Sequence, residues 1–224
     1  MNSFKANLMR RAPFVSFVSL LMLLISSPVV AYAGESNLKV PSLAPSQNNL
    51  LVVGLVICLL GMVFGFYQFL KVKKIRAHES MLEVSNTIFE TCKTYLIQQG
   101  KFIGILLLLI AVIIAFYFGF LQETGVSGVL LILLWTVIGI LGSYGVAWYG
   151  IRMNTLANSR MAFASLERKP LKLLNIPLDA GMSIGVLLIC VELFMMLIIL
   201  RFIPRELAGA CFIGFAIGES LGAS

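Results

Sequence analysis

The sequence predicts an all-α fold, a polytopic bundle of transmembrane helices. Of its 224 residues, 59% are hydrophobic and only 12% carry charge, too little charge for the surface of a soluble domain of this length. About five apolar stretches are long enough to cross a bilayer. The basic residues gather in two hydrophilic loops, as the positive-inside rule expects of a multi-pass chain. The net charge of +7 therefore reflects topology. The partner it implies is the lipid bilayer, with no nucleic acid.

Residues 1–33 read as a signal peptide. Lys5, Arg10 and Arg11 form a basic start, "FVSFVSLLMLLI" a short apolar core, and Ala31–Ala33 a small-x-small cleavage site. Cleavage is favoured over an uncleaved anchor by the short core and by Pro28. Residues 34–49 hold two prolines and no period, and read as an extracytoplasmic linker.

The remainder, 50–224, is the transmembrane region. Its first span covers about 50–70 and contains Gly61-x-x-x-Gly65, a close-packing pattern. Residues 71–101 carry six basic side chains and apolar residues at helical spacing. They predict an amphipathic helix running into a second span at 102–121. "QETGVSG" is a tight turn without Lys or Arg. A third span covers 129–150, and its helical pattern continues to a stop at Pro170. The fourth span covers 182–200, and a fifth apolar stretch covers 207–224. Of the 17 Lys and Arg, six lie in 71–101 and five in 152–172. Both loops are thus expected in the cytoplasm, 71–101 and 152–178, with the mature N-terminus outside a cell (inner) membrane. Arg201 and Arg205 fall on the outer side, at a span end from which long side chains snorkel to the interface.

No soluble catalytic signature is present, neither a P-loop nor G-x-S-x-G nor H-E-x-x-H. Cys58, Cys92, Cys190 and Cys211 are isolated and read as packing residues. His78 is the only histidine. It has no second ligand at metal spacing, so no metal site is expected in the chain. Two carboxylates lie in apolar runs, Glu192 in "LLICVELFMMLII" and Glu219 in "GFAIGESLGAS". A carboxylate in a span faces a bundle interior or an ion path. Both are ion-path candidates, weighed against a structural hydrogen bond or ion pair to a neighbouring helix. Gly214, Gly218 and Gly222 fall every fourth residue and form a helix-packing stripe.

Gly150-x-x-x-x-Thr155-x-Ala157-Asn158-x-Arg160 resembles the third-helix motif of membrane-bound, ion-translocating pyrophosphatases. "AGMSIG" (Ala180–Gly185) is similar to the start of that family's fourth helix. Gly214, Phe215, Gly218 and Ser220 match the start of its fifth. Ile151, Asn154, Met161, Ile217 and Glu219 depart from the family pattern. The similarity is clear from about Gly142 onward and only topological before it.

The resemblance implies the N-terminal part of a fold of about sixteen helices. Such proteins are homodimers that hydrolyse inorganic pyrophosphate and move H+ or Na+ outward. It implies Mg2+ bound with pyrophosphate and, in potassium-dependent members, K+. Hydrolysis is metal-assisted attack of water on pyrophosphate. The family's acidic hydrolytic motifs begin late in the fifth helix. This chain is therefore expected to hold no catalytic residue and to be inactive alone. On the residues without the resemblance, a non-enzymatic transporter subunit or assembly factor stays open.

Overall fold

The computed structural model describes residues 44–223. The segment 1–33, expected to be a signal peptide, lies outside the described residues, as does most of the expected linker 34–49. The described chain forms five helices joined by short turns: α1 (Pro45–Lys73), α2 (Glu79–Phe116), α3 (Gly125–Ser165), α4 (Pro170–Phe202) and α5 (Arg205–Ala223). Each is long and apolar enough to cross a membrane.

Local chemistry sets where the helices begin and end. At the start of α1 the Gln47 side chain accepts the Ala44 N–H at 2.9 Å, satisfying a group that helix geometry leaves free. Lys71 and Lys73 occupy the last turn of α1, where positive charge complements the helix dipole. The single histidine caps α2: His78 Nδ1 accepts the Ser80 N–H at 3.3 Å and lies 2.8 Å from Ser80 Oγ. Its role here is that of an N-cap. α2 runs unbroken from the amphipathic segment into the apolar one and ends in a π-turn, Tyr117–Leu121. Glu123 (φ 50°) and Gly125 (φ 76°) then reverse the chain.

α3 has 41 residues, about 60 Å at 1.5 Å per residue, against an apolar bilayer core of about 30 Å. It must project well beyond the membrane. It stops at Ser165, five residues short of the expected stop at Pro170. The Ser165 hydroxyl turns back to the Ala162 carbonyl at 2.7 Å, and Arg168 adopts φ 53°. Pro170 opens the next helix instead of closing the last, as its fixed φ and missing N–H suit the first helical position. α4 accordingly starts twelve residues before the span at 182–200, and carries Pro177 within it.

α3 is the central element. It packs most extensively on α5, then on α4 and α2, while α1 packs chiefly on α4. One buried cluster joins Ile114, Phe118, Ile132, Trp135, Ile199 and Phe215. A second, at the other end of α3, joins Val72, Met153, Ala157, Ala164, Ile176 and Ala180. Large apolar side chains such as Leu60 of α1 and Leu108 of α2 stay exposed, the expected state of a lipid-facing surface.

The glycines permit the closest approaches. A Cβ on Gly61 would meet Cys190 Sγ, and one on Gly65 would meet the Ser183 carbonyl at 3.2 Å, so α1 lies against the α4 backbone. On α5, a Cβ at Gly214 would meet Ile132 O at 2.8 Å, and one at Gly218 would meet Thr136 O. At Gly222 it would meet the Ser143 hydroxyl. On α3, Gly139 faces Phe215 O and the Glu219 N–H in the same way. Backbone touches backbone on both sides of this seam.

Candidate functional site

The segment 150–160 sits where α1, α2 and α4 converge on α3, and its residues divide by face. Ala157 is buried among Val72, Met153, Ile176 and Ala180. Gly150 faces Ile184 of α4. Thr155 bonds its own helix, donating to the carbonyls of Ile151 and Arg152, both at 3.0 Å. Its own carbonyl accepts the Ser85 hydroxyl of α2 at 2.8 Å. Asn154 and Asn158 are exposed. Asn158 opens onto two adjoining cavities beside α2, one of about 530 Å³ bounded by Cys92, Asn154, Met161 and Pro177. The other, of about 310 Å³, is bounded by Ser80, Ser85 and Ser159.

Arg160 is 6% exposed. Its guanidinium donates to Leu156 O at 3.0 Å, to Ser159 Oγ at 3.2 Å and to Lys73 O, the last carbonyl of α1, at 3.1 Å. No carboxylate reaches it among the salt bridges of the described residues. Its compensation comes from carbonyl dipoles, including the negative end of α1. Arg152 lies apart, stacked over Phe89 of α2 with the guanidinium carbon 4.3 Å from the ring centroid.

A second set of polar contacts was not legible in the sequence. The Gly65 carbonyl of α1 accepts the Tyr149 hydroxyl of α3 at 3.0 Å and the Ser183 hydroxyl of α4 at 2.8 Å. The two hydroxyls lie 2.5 Å apart. Tyr144 of α3 similarly donates to Leu96 O of α2 at 2.8 Å. Ser183 lies within "AGMSIG", and that pattern carries no sign of these partners.

The remaining site candidates lie on the α3–α5 seam. Gly214, Phe215 and Gly218 are buried there, and Phe215 meets Trp135 edge-to-face with ring centroids 6.5 Å apart. Ser220 is on the exposed side of α5. Glu192 of α4 and Glu219 of α5 line one narrow cleft with Gly139, Gly142 and Ser143 of α3. The two carboxyl groups are within interaction distance of each other. The structure thus brings the two ion-path candidates together and places the segment 150–160 elsewhere.

Among the described residues, no group of three or more His, Cys, Asp or Glu side chains converges in a way that could hold a metal ion. Asp179 pairs with Lys71 at 2.8 Å, Glu90 with Lys93 at 3.3 Å and Glu167 with Lys172 at 2.6 Å. Each of these carboxylates is taken up by a lysine, and the donor set does not fit magnesium.

Five apolar helices with lipid-facing side chains and glycine-mediated packing define a multi-pass α-helical membrane protein. The family described as inorganic H+ pyrophosphatase matches residues 59–224, and the chain belongs to that family. It is also 60% identical over 171 residues to the K(+)-insensitive pyrophosphate-energized proton pump of Chlorobaculum tepidum. The matched part is 76% of this chain and 23% of that relative, so the chain spans about a quarter of the relative's length. No solved structure matches it.

Proposed function

We propose that this chain is the N-terminal part of a pump that couples hydrolysis of inorganic pyrophosphate to outward transport of H+. The observation that carries this reading is the family match, with 60% identity to a relative named as a pyrophosphate-energized proton pump. That name favours H+ over Na+ and a mechanism without potassium. Mg2+ bound with pyrophosphate belongs to the rest of the protein, as does homodimer formation. This chain supplies scaffolding helices α1–α4 and the opening of a core helix, α5. The mature N-terminus lies outside, and the loops 71–101 and 152–178 lie in the cytoplasm. The density of Lys and Arg in those two loops supports this orientation.

Glu192 and Glu219 are the ion-path residues of this reading. Both are carboxyl groups within spans, and they face one cleft from neighbouring helices. The test is proton uptake into vesicles holding the complete protein, compared with pyrophosphate hydrolysis by the same vesicles. Glu219→Gln should lower the ratio of protons moved to pyrophosphate cleaved while leaving expression unchanged. An unchanged ratio would return Glu219 to a structural role. The 224-residue chain alone should show no hydrolysis above background, and turnover by it would place the hydrolytic site within these helices.

A further inference from the structure

At one end of the bundle, the C-terminal turn of α1 meets the N-terminal turns of α4. Between them lies an open groove of about 520 Å³, with Lys71 and Ile75 on one wall and Leu171, Lys172, Asn175 and Asp179 on the other. The two segments that form it, 71–76 and 167–179, carry seven Lys and Arg against two acidic residues, Glu167 and Asp179. Lys71 pairs with Asp179, and Lys172 pairs with Glu167. An ammonium group has three N–H donors, so each lysine keeps donors beyond its ion pair. Both side chains are half-exposed, at 51% and 49%.

Leu171 lines the groove, and Leu174 and Leu178 extend from it along the adjoining face of α4; the three are 71%, 57% and 52% exposed. They recur at helical spacing on the face that continues into the apolar span. The ligand that fits is therefore an anion with an apolar body. A free anion would use the lysines but gain nothing from the leucines. An anionic lipid matches both, and basic grooves at the ends of spans recognise such headgroups.

We propose that this groove binds an anionic phospholipid. Lys71 and Lys172 hold its phosphate, and the Leu171–Leu174–Leu178 stripe lies along its acyl chains. Asp179 keeps Lys71 turned toward the groove, so the site loses charge without losing its shape when Lys172 alone is replaced.

The test uses the 224-residue chain purified in a mild detergent, with retained lipid measured by native mass spectrometry. The probes are phosphatidylglycerol, phosphatidylcholine and inorganic phosphate. Phosphatidylglycerol should be retained and phosphatidylcholine should not, and inorganic phosphate should not displace the lipid. Lys172→Gln should weaken phosphatidylglycerol retention about fivefold, the effect of one lysine at an anionic surface. The double variant with Lys71→Gln should weaken it further. Lys93→Gln, which removes an exposed charge on α2, should change nothing. If the double variant fails to fold by circular dichroism, the comparison of Lys172→Gln with Lys93→Gln decides. Equal retention of the two lipids, equal loss in the two single variants, or displacement by inorganic phosphate would each overturn the proposal.

Discussion

The Arg160 guanidinium donates to the Lys73 carbonyl at 3.1 Å across 87 residues of sequence. It joins the C-terminal part of α3 to the last turn of α1, and it is buried with carbonyl and hydroxyl partners only. Such a charge is tolerable because several dipoles point at it, one of them the end of a helix. Arg160→Lys offers one nitrogen where the fork reaches Leu156 and Lys73 together. Its thermal unfolding in detergent should show a loss of about 2 kcal/mol, the range for hydrogen bonds to a charged group. Stability equal to the parent chain would show that the fork is dispensable.

The α3–α5 seam responds to volume. Gly218→Ala puts a methyl group against the Thr136 carbonyl, and neither backbone can give way without opening the seam. We expect a loss of about 1–3 kcal/mol, as for overpacking elsewhere. Gly104 of α2 has open space around its Cα. There the same substitution should be neutral or stabilise by up to about 1 kcal/mol through helix propensity. Melting curves of the two variants, measured side by side, separate seam packing from glycine content.

The Gly65–Tyr149–Ser183 contact ties three helices through one carbonyl. Tyr149→Phe leaves the ring against Phe69, whose centroid is 5.5 Å away, and removes only the hydroxyl. The expected cost is about 1 kcal/mol. Ser183→Ala should cost a similar amount. A double-mutant cycle should give a combined loss larger than the sum, because either hydroxyl left alone still reaches Gly65 and only the double variant removes both. Strict additivity would mean that the two hydroxyls act independently.

Glu167, in the turn between α3 and α4, is held below its ordinary pKa of 4.5 by its hydrogen bond to Lys172, with the charges of Lys172 and Lys169 adding to the effect. A lowered folded-state value means that its contribution to the turn is complete above 4.5. That contribution is lost as pH falls from there through the lowered value. Because the group is exposed, the effect is local. Protection of the Leu166–Lys169 amides, normalised to the intrinsic exchange rate at each pH, should fall over that acid window, and Glu167→Gln should remove this change. An unchanged profile in the variant would assign the effect to another group.

What the sequence disclosed and what it hid differ in physical kind. Apolar runs and basic loops report transfer between water and lipid, which each residue carries by itself, so the helical membrane class was readable. The glycine repeats at 61–65 and 214–222 were readable as close-packing faces for the same reason, since a missing side chain is visible without a partner. Their partners were not: nothing in "GILGSYG" marks Gly139 as the counterpart of Phe215 and Glu219. Proline breaks a helix from inside and begins one at its first turn, so Pro170 marks a boundary in the sequence, and only the fold shows that it opens α4 after α3 has ended at Ser165. The Arg160–Lys73 and Tyr149–Gly65 bonds use main-chain carbonyls as acceptors. Every residue has one, so such a partner leaves no trace in residue identity.

The glycine seam has a consequence for how the chain enters the bilayer. α5 is the least apolar of the five helices and the one most covered by protein. Lipid alone gives it the weakest reason to stay, and the bare backbone of α3 offers a better one. α3 precedes α5 in the chain, so its glycine-lined face can receive α5 as that helix enters the bilayer. α3 would then serve as an internal chaperone for α5. A side chain added at Gly218 would be felt first as a failure of insertion.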